Sequence, residues 1–293
     1  MNMQRRQLLA MGAAGLAGGA AHAQTQRANR RLDTQTAAGK RVGLALGSGS
    51  SRGFAHIGVL QALDEAGIPI AVVAGSSAGS LIGAFYTAGF TPWQMQEIAL
   101  KVREIDVADL STGNKRGMLT GAALQRLVNS QLRQTPIERL PKRFAAVCTD
   151  LATGERVSLI HGDTGAAVAA SCAIPGVFIP SIHNGRELVD GGLTSPLPVA
   201  VAREMGADFV IAVDVGSKPS DNKRSGLYEI ILQSFEIMGR SLAQLEAKSA
   251  DLLIQPDTSR FASTDFSARR ELIEAGYVAT VAALPKLRRQ LQL

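Results

Sequence analysis

The feature that most restricts the fold of this chain is a junction. The apolar run Ile70-Ala71-Val72-Val73-Ala74 passes through Gly75-Ser76-Ser77-Ala78-Gly79 straight into the helix-like stretch Ser80-Leu81-Ile82-Gly83-Ala84-Phe85. A buried strand that turns at once into a helix belongs to a layered α/β sheet. Gly75 and Gly79 let the two backbones approach, and the sharp turn pushes the Ser77 side chain out of the sheet. The helix N-terminus also sets the positive end of a dipole beside the Ser77 oxygen. Ser77 is therefore a nucleophile candidate, although the same five residues also suit a βα loop that does no chemistry.

The alternation continues along the chain. Residues 42–46 read as a first strand, followed by a Gly/Ser turn and a helix over 53–66 that ends at Gly67 and Pro69. Helices are expected over 80–88, from Thr91-Pro92 onward, over 120–131, over 164–172 and over 200–204. Strands are expected over 144–149, 156–160, 187–190 and 209–215. The last third reads as two helices, 227–250 and 266–283, separated by residues 251–256. In the first, Leu227, Ile230, Ile231, Phe235, Met238, Leu242 and Leu245 recur at helical spacing, which predicts a face packed on the sheet, with membrane insertion as the alternative. The chain of 293 residues, 46% of them hydrophobic, is long enough for one large α/β domain, here 42–293.

Residues 1–23 stand apart from that domain. Arg5-Arg6 precede the apolar segment 8–20 and the small-residue site Ala21-His22-Ala23, the pattern of a cleaved export signal of twin-arginine type, with general secretion as the alternative route. That reading places the mature protein in the periplasm or at the membrane periphery of a bacterium. Residues 24–41 read as a basic, flexible linker. Residues 1–41 carry seven Lys and Arg against Asp33, which accounts for the net charge of +6; the domain is neutral. Nucleic-acid binding, which needs a basic patch on the folded surface, is not supported. Cys148 and Cys172 are the only cysteines; an oxidising compartment would let them pair, and two free buried thiols fit equally. No spacing of metal ligands occurs, and no cofactor is expected.

A serine hydroxyl needs a base. The usual order of serine, carboxylate and then histidine fails here, because the last histidine, His183, precedes the best acid, Asp190. His56 lies in a helix as a structural imidazole, and His161 lies in a turn. The base is accordingly read as a carboxylate acting directly on serine. Asp190 ends an apolar stretch and is followed by Gly191-Gly192, which bends the chain tightly and leaves the carboxylate approachable; Asp150 and Asp214 are weaker alternatives. An oxyanion site is expected from backbone N–H groups of Gly47-Ser48-Gly49-Ser50-Ser51-Arg52-Gly53, which follows the first strand and opens its helix. Arg52 occupies the last glycine position of a dinucleotide fingerprint, and the Gly-Lys-Ser/Thr of a nucleotide P-loop is missing.

Three segments in order resemble the bacterial patatin-like phospholipases: 46–60 with Gly47, Arg52 and Gly53, 74–84 with Gly75 and Gly79, and Val189-Asp190-Gly191-Gly192. The stretches 148–155 and 170–178 are similar as well. The resemblance implies a three-layer α/β sandwich with a largely parallel sheet and helices on both faces. It implies a Ser77–Asp190 dyad, an oxyanion hole at Gly49, Ser50 and Ser51, and no metal. It further implies hydrolysis of a phospholipid or other lipid ester, with peripheral membrane contact. Acyl transfer and non-catalytic lipid binding are the alternatives. Walls of the substrate pocket are expected from residues 93–140 and the C-terminal helices.

Overall fold

Five apolar runs, buried along their whole length or nearly so, build the centre of the sheet in a computed structural model that describes residues 39–103, 106–107, 109–111, 116–216 and 226–293. They are β1 (Val42–Leu46), β2 (Ile70–Ser76), β3 (Arg143–Asp150), β7 (Phe209–Val213) and the short β8 (Leu252–Ile254). Parallel pairing runs β3-β2-β1-β7-β8, and strands covered on both faces need such continuous apolar stretches. Beyond β3 the sheet turns antiparallel: β4 (Arg156–Leu159) and β6 (Arg186–Asp190) both pair with β3, and β5 (Ser181–His183) pairs with β6.

Side chains that alternate along each strand make two cores. Val42, Leu44 and Leu46 of β1, with Phe209, Ile211 and Val213 of β7, face a large cluster. Helices α1 (Ala55–Glu65), α2 (Ala78–Thr87), α3 (Pro92–Lys101), α4 (Ala122–Gln131), α5 (Thr164–Ser171) and α8 (Arg269–Leu291) pack into it. The intervening Ala45, Ala74, Ala145, Val210 and Ala212 face the other way, toward α6 (Val199–Glu204) and α7 (Leu227–Ala247). Small residues on this face let α6 lie close: a Cβ on Gly43 would sit 2.6 Å from the Ala207 Cβ. The result is the three-layer α/β sandwich expected.

Three elements differ from the sequence reading. The strands β5 and β8 are three residues long, too short for a period-two pattern to register. Residues 50–54 form a 3-10 turn before α1 rather than its first turn. Helix α8 begins at Arg269 and runs past Pro285 to Leu291, because Leu287 and Leu291 are fully buried and hold its last turns against the core. The stripe expected on α7 is divided: Leu232 and Ala243 are buried, whereas Ile230, Met238 and Leu245 face outward, each more than half exposed.

The segment read as export signal, and the linker as far as residue 38, lie outside the described residues. The last two linker positions belong to the domain. Arg41 forms a bidentate pair with Asp208 and accepts the Asp208 and Phe209 N–H groups on its carbonyl, and Lys40 Nζ donates to Gln290 O at 3.2 Å. Cys148 and Cys172 are both free thiols. Among the described residues no helix is long and apolar enough to cross a membrane, and no cluster of metal-ligating side chains occurs.

Candidate active site

The register of β3 brings the two halves of the site together. β2 pairs with β3 as far as Ser76, opposite Val147. β6 takes up the next residue, with Asp190 opposite Cys148. Because β4 occupies the other edge of β3 along this stretch, β2 and β6 lie end to end on one edge. β2 leaves the sheet at Ser77 where β6 arrives with Asp190, so a nucleophile and a carboxylate 113 positions apart in sequence meet across a gap in the sheet.

Ser77 is the strained residue of the elbow, with φ 51 and ψ −123 as the N-cap of α2. The conformation is held from both sides. The Ser77 N–H donates to Ser171 Oγ at 3.0 Å, and the Ser171 hydroxyl donates to Val147 O at 2.6 Å. The Ser77 carbonyl accepts from the Ser80 hydroxyl and N–H at 2.7 and 2.8 Å. The flanking glycines are sterically required: a Cβ on Gly79 would lie 2.1 Å from Leu46 O, and one on Gly75 would lie 2.4 Å from Gly79 O. Gly53 is required for the same reason, since its Cβ would meet that of Ala78 at 2.4 Å.

Asp190 is 2% exposed. Its Oδ1 accepts the Gly192 N–H at 2.7 Å, while Oδ2 is buried and receives no full hydrogen bond. Burial raises its pKa to about 6, against the opposing pull of the Ser77 hydroxyl and the Gly192 N–H. Gly191 has no room for a side chain, because a Cβ would sit 2.1 Å from Val147 O. The segment after Asp190 is clamped to α7, where Glu246 accepts the Ser195 hydroxyl and, at 2.7 Å, the Leu197 N–H.

The glycine loop lies on the other side of Ser77. Ser50 accepts φ 50, and Gly49 is packed so that a Cβ would meet Val215 Cγ2 at 2.5 Å. One of the three expected oxyanion donors is already engaged: the Ser51 N–H donates to Ser263 O at 3.1 Å. The Gly49 and Ser50 N–H groups have no protein acceptor among the described residues. Gly47 anchors the loop, donating to Val213 O at 3.0 Å and accepting from His56 Nε2 at 2.8 Å. Burial lowers the His56 pKa to about 4, so the ring is neutral, with its proton on Nε2 facing the carbonyl. This is the structural role expected of it. Arg52 is buried and pairs with Glu236 of α7 at 2.9 Å, which makes it a brace of the loop.

The weaker carboxylates have other work. Asp150 accepts from Arg186 Nε at 2.5 Å and from the Ala152 and Thr153 N–H groups of its own turn. Asp214 lines the site but is turned to the Gly216 N–H and Gln255. His161 and His183 lie outside the site. Ser171, Glu236, Glu246 and Ser263 were not singled out from sequence; Ser171 lies within the 170–178 stretch, where its place among small residues at a helix end is the one available signal.

Ser77, Asp190, Gly49 and Ser50 open into a cavity of about 270 Å³ at the carboxyl ends of β1, β2, β6 and β7, the place where open α/β sheets bind ligands. Arg240 of α7 lines it and forms no hydrogen bond or ion pair among the described residues. A second, apolar cavity of about 340 Å³ meets the first at Ser50, Ser77 and Ile174. Its walls come from residues 95–127 and the 172–178 segment, as expected in part, and only from the start of α8 among the C-terminal helices.

A three-layer α/β sandwich with a serine elbow facing a buried carboxylate defines the class of protein. The patatin-like phospholipase profile matches residues 44–203, and the chain belongs to that family. An uncharacterized NTE family protein of Mycobacterium tuberculosis is 37% identical over 214 residues, 72% of this chain and 59% of the relative. Patatin-like phospholipase domain-containing protein 6 of Mus musculus is 37% identical over 206 residues, 66% of this chain and 15% of that protein. The chain thus spans about three fifths of the mycobacterial relative and a small part of the mouse one. VipD from Legionella pneumophila has a similar fold, with a TM-score of 0.60 and 14% identity over 86% of this chain and 69% of that one.

Proposed function

We propose that the protein is a serine acyl hydrolase of lipid esters that works through Ser77 and Asp190 without a metal. The observation that carries this reading is the meeting of the strained Ser77 with the free Oδ2 of Asp190 at the end of β2. Asp190 takes the Ser77 proton as the oxygen attacks the acyl carbonyl carbon. The developing oxyanion is held by the Gly49 and Ser50 N–H groups, which need no reorganisation. The ester C–O bond then breaks, and Asp190 returns the proton to the departing alkoxide. Water attacks the acyl-serine, giving its proton to Asp190; the acid leaves and Ser77 regains its proton. The cavity bearing Arg240, Gln244 and Gln255 suits a polar leaving group such as a phospholipid head.

The direct test is labelling of the purified protein with a fluorophosphonate, with and without chelator. Ser77 should be the labelled residue in both samples, and labelling that spares Ser77 or stops with chelator would refute the reading. A second expectation follows from Asp190. The base must be ionised and its pKa is raised to about 6, so kcat/KM should fall about tenfold per unit below that pH and level off above it. A p-nitrophenyl butyrate profile from acid to mild alkali measures this, and a rate that is flat through that region would exclude Asp190 as the base.

A further inference from the structure

Two cavities converge on one serine, and they differ in chemistry. The larger is lined by Leu81, Ile82, Met95, Ile98, Leu124 and Phe178 among other apolar groups, and the only ionisable groups in its wall are Cys172, Arg103 and Arg269. Arg103 is paired with Asp106 at 2.9 Å. Arg269 spends its Nε and Nη1 donors on the Phe266, Ala99 and Val102 carbonyls and lies over the Phe54 ring. The Cys172 thiol, pushed up to about 12 by burial, stays neutral. Nothing in this wall recognises a polar group, whereas the polar cavity opposite carries an uncommitted guanidinium.

Building on the acyl-hydrolase reading, we infer that the apolar cavity bounded by α2, α3 and α4 is the acyl site. Its capacity selects one unbranched chain of medium length, and Ala99 is a specificity-determining residue. A methylene takes about the volume of a water molecule in the liquid, roughly 30 Å³, so 340 Å³ holds about eleven of them. A lauroyl-sized chain fills the cavity; a stearoyl chain must leave its end in water. Ala99 is buried in the wall, where leucine would add three carbons and reduce the capacity to about eight methylenes on the same scale. Phe178 lies in the same wall only partly buried, so Phe178→Ala enlarges the cavity.

The test has two arms. In the first, binding of octanoate, dodecanoate and octadecanoate is measured by calorimetry, which requires no turnover. The wild type should bind dodecanoate at least about tenfold more tightly than octadecanoate; Ala99→Leu should lose about tenfold for dodecanoate and keep octanoate, and Phe178→Ala should gain for octadecanoate. In the second, p-nitrophenyl esters from butyrate to stearate are hydrolysed. The optimum near laurate should move about three carbons shorter in Ala99→Leu, with butyrate turnover and Ser77 labelling within twofold of wild type. Equal binding of all three acids by wild type and Ala99→Leu, or an unmoved optimum in a variant that labels normally, overturns the acyl-site assignment. Chain-selective binding without any hydrolysis would uphold the site and refute the hydrolase reading instead.

Discussion

Asp190→Asn should lower kcat/KM for an ester substrate by about a thousandfold or more while raising thermal stability above pH 6. The activity loss is that of a general base in contact with its nucleophile, and Ser77→Ala should cost at least as much, since the attacking atom itself is removed. The gain in stability is the less obvious half. The folded-state pKa of Asp190, about 6, lies above its ordinary value of 3.8. The stabilising contribution of the protonated carboxyl is therefore complete below about pH 4 and is lost as pH rises through 6. At pH 8 the ionised, buried group costs on the order of 3 kcal/mol, which the neutral amide avoids while keeping an oxygen for the Gly192 N–H. Melting curves of both proteins at pH 4.5 and pH 8 should coincide at the lower pH and separate by several degrees at the higher. A variant that keeps near-normal activity would remove Asp190 from the mechanism. Ser76→Ala is the matching control: Ser76 is fully buried and accepts from Ser48 Oγ at 3.1 Å, so its loss should leave turnover within a few fold.

Gly58→Ala should destabilise the fold by about 3 kcal/mol or more, and Gly276→Ala similarly, against what helix propensity predicts. Both glycines lie inside helices, where alanine is ordinarily favoured by up to about 1 kcal/mol. Helices α1 and α8 cross with their backbones in contact, however. A Cβ on Gly58 would fall 1.8 Å from Ile273 O, and one on Gly276 would fall 1.9 Å from Ala55 O. The obstacle in each case is main chain, which no rotamer change moves aside, so the helices must separate and open the core around Leu60 and Ile273. Urea unfolding measures the effect. A midpoint equal to or above that of the wild type would show that the crossing tolerates a methyl group. Because the 3-10 turn of residues 50–54 leads directly into α1, labelling of Ser77 should weaken in parallel if the crossing also supports the glycine loop.

Much of the site was legible before any coordinates. The crowding of Gly75, Ser77 and Gly79 follows from the local chain, because a strand that becomes a helix within three residues has few geometries available. The exclusion of histidine also followed from residue order, and the structure agrees, with His56 neutral and holding the Gly47 carbonyl. Asp190 was visible through the two glycines after it. Pairings between distant segments were not visible, because they depend on which residues end up on facing elements. Glu236 on Arg52, Glu246 on Ser195 and Ser263 on Ser51 each bridge a long sequence separation without a periodic signal. The last of these changes the chemistry, because it leaves Gly49 and Ser50 as the open donors of the loop.

The sequence by itself determined a layered α/β fold, the turn that exposes Ser77 and the glycines that make the turn possible, since these depend on backbone sterics and the period of apolar residues over short stretches. Only the tertiary structure decided that β6 enters the gap vacated by β2 and so sets Asp190 beside Ser77. It also decided that a polar and an apolar cavity meet at that serine. Strand register and cavity volume are properties of packed, non-adjacent segments, and no local pattern in the chain encodes them.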